Sequence, residues 1–261
     1  EIYMKAVILA GGYGTRLSEE TDIKPKPLVE IGGKPILWHI LKHLNYYGIN
    51  HFYILCGYKG YLIKEYFYNY ALHNSDLEID CQKGEVNILK KDIENWKITL
   101  IDTGVDTMTG GRLLKVKDYL KKEKDFIFTY GDGLSNVNIK KLIKFHKNHK
   151  KTASVTSVLP PGRFGSLSIN KNEKVVEFYE KPKGDGGYIN GGYFVLKNNI
   201  FNYIKDNKTI WEQEPLKKLT KDGELYAFKH RGFWRAMDTL SDKKLLNKLW
   251  KTNKADWKVW K

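Results

Sequence analysis

The chain has 261 residues, of which 41 % are hydrophobic and 13 % aromatic, and 45 Lys and Arg against 30 Asp and Glu leave a net charge of +15. A chain of this length buries roughly 70 to 75 % of the surface its unfolded form exposes, which supports one core and excludes a disordered chain. No apolar run approaches the ~20 residues of a membrane helix and no apolar leader precedes Met4, read here as the natural start after Glu1 to Tyr3, so a cytoplasmic protein with no membrane partner is expected.

In chain order, residues 5–10 (KAVILA) form a short apolar strand stopped by Gly11 and Gly12, so a glycine-rich loop leaves its carboxyl end. Three prolines then forbid regular helix through KPKPLVEIGGKP, and 36–47 has the amphipathic period of a helix. A second strand is expected at 51–56, a helix at 61–71, and shorter strands through 77–102. Residues 125–130 (DFIFTY) are a buried strand running into Gly131, Asp132 and Gly133. Strand and helix alternate to about residue 150, which predicts right-handed βαβ units in a Rossmann-like, doubly wound, largely parallel α/β sheet. Beyond it, 152–159, 165–170, 174–179 and 188–196 are strand-like with turns between, an antiparallel extension of that sheet. A helix at 240–250 precedes Trp257 and Trp260. With no linker in sight, residues 4–261 are expected to form a single domain, with an N-terminal nucleotide half at 4–150 and a C-terminal acceptor half with a helical tail at 151–261.

Ligands of open α/β sheets sit beyond the carboxyl ends of the strands. There the first strand is followed by Gly11, Gly12, Tyr13, Gly14, Thr15 and Arg16, where missing β-carbons let backbone N–H groups approach phosphate oxygens and Arg16 adds a fork of donors. The loop is not GxxxxGK[ST], and GxGxxG fails at Leu17; a plain glycine turn is the competing reading. Lys24 and Lys26 are held by the prolines of KPKP as fixed charges suited to a polyphosphate, or else form a basic surface turn. Asp132, flanked by glycines after a strand, and Asp238 are candidate magnesium ligands, although either alone also suits a turn or a helix cap. The lysines are scattered over the chain, and 140–151 reads as a helix with a solvated basic face, so no nucleic-acid partner is expected and the charge serves instead to attract an anionic small substrate.

These segments resemble a known family. MKAVILAGGYGTRL, KPKPLVEIGGKPILWHI, TYGDG, EKPKGDGGYINGGYF and MDT, in that order over residues 4–239, are similar to the sugar-1-phosphate nucleotidyltransferases. GYKGYLIKEYF, TGVDTMTGGRL, PPGRFGSL, WEQEPL and FWRAMDTLSDK resemble its glucose-1-phosphate cytidylyltransferase branch. The resemblance implies a GT-A-like nucleotidyltransferase fold and transfer of a cytidylyl group from CTP to glucose 1-phosphate, giving CDP-glucose and pyrophosphate, for deoxysugars of surface polysaccharide such as O-antigen. It implies nucleotide contacts at Leu9, Ala10, Gly11, Gly12, Gly14, Thr15, Arg16, Lys26, Thr107, Arg112 and Gly131, and a Mg2+ ion held by Asp132 and Asp238. Glu180 would hold sugar hydroxyls and Lys181 the sugar phosphate, with Asn190 and Gly191 bordering the hexose and Arg16, Lys26, Asp132 and Lys181 carrying catalysis. Homo-oligomers, hexamers among them, are implied by the same branch. The same chemistry with UTP, dTTP or another hexose phosphate, and a nucleotide-sensing subunit without catalysis, are the rival functions.

His39 and His43 lie four apart on the 36–47 helix but lack the glutamate of HExxH and are expected in the core. His146 and His149 are expected to be solvated, and the C-terminal tryptophans to pack on the body or a neighbouring subunit. Cys56 and Cys81 are too far apart for a CxxC site and are expected as packed thiols.

Overall fold

A computed structural model describes residues 4–91, 93–160, 162, 166–169, 173–179 and 187–260. Its seven-stranded sheet consists of β1 (Ala6–Ala10), β2 (His51–Cys56), β3 (Lys97–Asp102), β4 (Asp125–Tyr130), β5 (Ala153–Val158), β6 (Ile189–Lys197) and β7 (Leu225–His230), in the order β7-β5-β6-β4-β1-β2-β3. A strand that is apolar on both faces needs cover on both, and β1 has it. Ala6, Ile8 and Ala10 join the core beneath helices Ile36–Tyr46 and Ile139–His149, while Val7 and Leu9 join a second core with Phe126, Phe128, Leu113 and Trp211 on the other face.

β1 pairs parallel with β2 on one side and with β4 on the other, and β2 pairs parallel with β3. The chain therefore winds outward from β1 in one direction and returns to its other side, which makes the carboxyl ends of β1 and β4 a switch point where a crevice must open. The expected α/β class and largely parallel sheet are present. Antiparallel pairing enters through β6, which runs against both β4 and β5, whereas β5 and β7 are parallel to each other. Ser166–Ile169 and Val175–Tyr179 pair antiparallel as a separate two-stranded sheet instead of joining the large one.

Helix Ile36–Tyr46 buries His39 and His43 along with its aliphatic residues. Trp257 Nε1 lies 3.3 Å from His39 Nδ1, so the protonated Nε2 donates to Ile31 O at 2.8 Å. Burial pushes both histidines down to about 4, so they are neutral core residues and the tryptophans pack on the body, as expected. Two expectations are corrected. His146 is 1 % exposed, bonded through Nδ1 to Ser154 Oγ at 2.9 Å, and His149 reaches the same hydroxyl while stacking on Tyr226. Ile139, Leu142, Ile143 and His146 recur at helical spacing, so His146 falls on the buried stripe; the lysines around it mask this in the sequence. Cys56 is buried but Cys81 is exposed, because it sits in the turn between Ser75–Asp80 and Glu85–Lys91, a hairpin outside the large sheet. No helix among the described residues is long and apolar enough to cross a membrane.

Candidate active site

The loop after β1 runs along the crevice. A β-carbon at Gly11 would lie 2.3 Å from Arg112 Nη1, so a side chain there would displace the guanidinium. Arg112 is 4 % exposed and spends its donors on the protein itself: Thr103 Oγ1 at 2.5 Å, Gly104 O at 2.7 Å and Val105 O at 2.9 Å. It braces the 103–105 turn beneath the glycine loop, and Thr107 Oγ1 tightens that turn through Thr103 O.

Two aspartates more than a hundred residues apart meet because the short strand Gly133–Ser135 pairs antiparallel with Trp234–Ala236, aligning Gly133 with Ala236. Asp132 immediately precedes one partner and Met237 and Asp238 follow the other, and Met237 N donates to Asp132 O at 2.9 Å. Asp238 is then fixed from its carboxyl side. Thr239 and Asp242 form a capping box on helix Leu240–Lys251, Asp242 also accepts from Asp238 N at 3.2 Å, and Arg235 grips Asp242 at 2.8 Å. Burial alone would raise the Asp242 carboxyl, but Thr239 and Arg235 outweigh it and hold the group below the usual carboxylate range.

Lys26 enters between the two carboxylates from the 3-10 turn Lys26–Leu28 that its prolines favour. Its Nζ lies 2.6 Å from Asp132 Oδ2 and 2.8 Å from Asp238 Oδ1, and Arg16 Nη1 closes on Asp238 Oδ2 at 2.9 Å. Burial works to lower the Lys26 pKa, but the two aspartates overcome it and hold the ammonium above its ordinary value, so it is charged at neutral pH. Arg16 is 69 % exposed and free to reorient toward an anion in the crevice.

Two cavities meet at this cluster. One, of about 480 Å³, has on its walls Leu9, Ala10, Gly11, Gly12, Gly14, Thr15, Arg16, Lys26, Thr107, Arg112, Gly131 and Asp132, which the sequence singled out, together with Val105, Asp106, Met108, Thr109 and Tyr130, which it did not. The other, of about 300 Å³, is lined by Asn190, Gly191 and Asp238 and shares Arg16, Tyr130 and Asp132 with the first. Glu180 and Lys181 lie outside the described residues. The sequence reading missed Tyr130 and Glu212, which line the second cavity with Tyr130 Oη donating to Glu212 Oε1 at 2.7 Å, and Asp242 behind Asp238. Tyr130 ends TYGDG and Glu212 belongs to WEQEPL, so the signal lay in segments already noted for their resemblance.

Among the described residues neither cavity is lined by a histidine or a cysteine, so the arrangement offers cations and carboxylates at the junction of the two cavities and no activated thiol or Ser–His pair. Such a set suits an anion that is bound, oriented and neutralised in charge.

Comparison with known proteins gives the same direction. Residues 5–243 match the family model described as nucleotidyl transferase. The glucose-1-phosphate cytidylyltransferases of Salmonella typhimurium and Salmonella typhi are each 56 % identical to this chain over 257 residues, covering 98 % of it and 100 % of each relative. The crystal structure of HddC from Yersinia pseudotuberculosis superposes with a TM-score of 0.70 at 25 % identity, covering 95 % of this chain and 99 % of that one.

Proposed function

Because the chain belongs to the nucleotidyl transferase family, we propose that it transfers a cytidylyl group from CTP to glucose 1-phosphate, forming CDP-glucose and pyrophosphate. An ionised phosphate oxygen of the sugar attacks the α-phosphorus of CTP in line, the bond to the β-phosphate oxygen breaks, and pyrophosphate leaves. The attacking oxygen needs no base, in keeping with a site of charges instead of nucleophiles.

In this reading the larger cavity takes the nucleotide. The 11–14 loop offers backbone N–H groups to the phosphates and Arg16 and Lys26 neutralise charge on them. The smaller cavity takes the hexose beside Asn190 and Gly191, and the resemblance assigns sugar contacts to Glu180 and Lys181 as well. A magnesium ion fits the donor set: two carboxylates already drawn to one cation by Lys26, beside a cleft for phosphates that would supply further oxygens. Asp132 and Asp238 would hold it, and when bound it supplies charge stabilisation to the transferring phosphoryl group. Lys26, which now holds both aspartates, would share them with that ion and is within the lining of the nucleotide cavity. Assembly into homo-oligomers belongs to the same reading and is measured by light scattering.

The observation that carries the proposal is the convergence of Lys26, Asp132, Asp238 and Arg16 where the two cavities join. Its test is pyrophosphate release with CTP, UTP, dTTP and ATP against several hexose 1-phosphates. Highest turnover is expected with CTP and glucose 1-phosphate; predominant turnover with UTP would defeat the cytidylyl assignment.

A further inference from the structure

The smaller cavity holds a third carboxylate whose surroundings differ from those of the other two. Asp132 and Asp238 face Lys26 and Arg16, whereas Glu212 is met by hydroxyls: Tyr130 Oη donates to Oε1 at 2.7 Å and Thr109 Oγ1 to Oε2 at 2.7 Å. Asn190 Nδ2 supports this by donating to Tyr130 Oη at 3.2 Å. The backbone beneath is tied together by hydrogen bonds. Trp211 is fully buried and its backbone N–H donates to Thr109 Oγ1 at 2.9 Å, while Thr209 O accepts from Gly110 N at 2.9 Å and Asn207 O from Met108 N at 2.9 Å. Gly111 permits this close docking, since a β-carbon there would stand 2.4 Å from Asn207 O. The segments TMTGGR and WEQEPL are thus packing partners, and the product of their packing is one oriented, solvent-facing carboxylate at the wall of the cavity.

A carboxylate accepts through about four lone-pair directions, so two hydroxyl bonds leave capacity on each oxygen. Its negative charge disfavours a phosphate at this point of the wall and favours a group that donates hydrogen bonds without charge. Resting on the reading of the smaller cavity given above, we propose that Glu212 is a specificity-determining residue of the acceptor site, whose carboxylate accepts hydrogen bonds from ring hydroxyls of the hexose 1-phosphate. Tyr130 and Thr109 also line the nucleotide cavity, so the same pair that aims the carboxylate belongs to the wall between both substrates.

The test compares wild type, Glu212→Gln and Glu212→Ala in pyrophosphate release with CTP, using glucose 1-phosphate and its 2-, 3-, 4- and 6-deoxy analogues. A hydrogen bond to a charged group predicts that the wild type disfavours at least one deoxy analogue by roughly 10- to 150-fold, and that Glu212→Ala loses a similar factor in kcat/KM for glucose 1-phosphate alone. For the alanine variant the preference over that analogue collapses, the glutamine variant falls between, and the KM for CTP is unchanged. If Glu212→Ala keeps the wild-type preference for every analogue, or if its KM for CTP rises in step with that for the sugar, Glu212 is only a brace between Thr109 and Tyr130 and the proposal is overturned. Circular dichroism and thermal unfolding of both variants separate misfolding from loss of recognition, and the isosteric glutamine keeps the side-chain volume and one of the two acceptors. A wild type that turns over a different nucleotide or hexose phosphate, yet loses hydroxyl discrimination when Glu212 is replaced, would overturn the CTP and glucose assignment while leaving the role of Glu212 standing.

Discussion

Lys26→Met removes the charge at the centre of the site while keeping most of the side-chain volume. Lys26 is 8 % exposed and bonds two carboxylates, one of them only 13 % exposed at the side chain and the other 32 %. Breaking a buried pair by deleting one partner costs about 3 to 5 kcal/mol, and the partial exposure of Asp132, with Arg16 still on Asp238, places this case near the lower end, about 3 kcal/mol. For a chain of this size that lowers the melting temperature by roughly 6 to 12 °C. Loss of a cationic contact to the transferring phosphate removes a further factor of roughly 100 to 1,000 from kcat. The two effects separate when magnesium is added during calorimetry: with neither carboxylate held by Lys26, the cation stabilises the variant more than the wild type, where Lys26 competes for them. Steady-state pyrophosphate release gives kcat. A variant within about threefold of wild-type kcat would refute the phosphate role of Lys26, and equal magnesium stabilisation of both proteins would refute the competition for the aspartates.

Asp242→Ala removes the capping box and the Arg235 contact, which lie behind Asp238; kcat is expected to fall by roughly tenfold with little change in the KM for CTP, and an unchanged kcat would show that Asp238 holds its place without them. His39, His43 and His146 sit near 4 in the fold because burial disfavours their charged form, against 6.5 when unfolded. Unfolding therefore takes up protons below pH 6.5, so stability is full above that value and declines as pH falls toward about 4, by roughly 1.4 kcal/mol per pH unit for each histidine. Urea titrations at pH 7, 6 and 5 check the sign; a midpoint that rises on acidification refutes it. A thiol reagent should label Cys81 rapidly in the native protein and reach Cys56 only on unfolding, since Cys56 is buried and its thiol is pushed up to about 12; two fast thiols in the native state would contradict the placement of Cys56.

Much of this molecule is written in local pattern. The apolar run at 6–10 stopped by glycines, the prolines around Lys26 and the glycine-flanked Asp132 each express a preference set within a few residues, so the strand, the loop and the turn are legible before any folding. The helix at 139–149 was legible for the same reason, yet His146 was misjudged because lysines dominate its composition while its position within the 3.6-residue period decides its burial. Cys81 was misjudged because a cysteine is usually buried, and only the 75–91 hairpin's position outside the large sheet exposes it.

What the sequence determined by itself is the α/β class, the glycine loop at the carboxyl end of β1, and the identity of the charged residues that converge there. The tertiary structure alone decided that they converge. Asp132 and Asp238 become neighbours through the pairing of Gly133–Ser135 with Trp234–Ala236, Arg112 becomes a buried brace through its bonds to 103–105, and Glu212 is aimed by a helix that begins at Thr109. These are contacts between segments distant along the chain, and no local propensity encodes them; they exist only once the sheet has assembled and the loop-closure entropy has been overcome by the burial of its two faces.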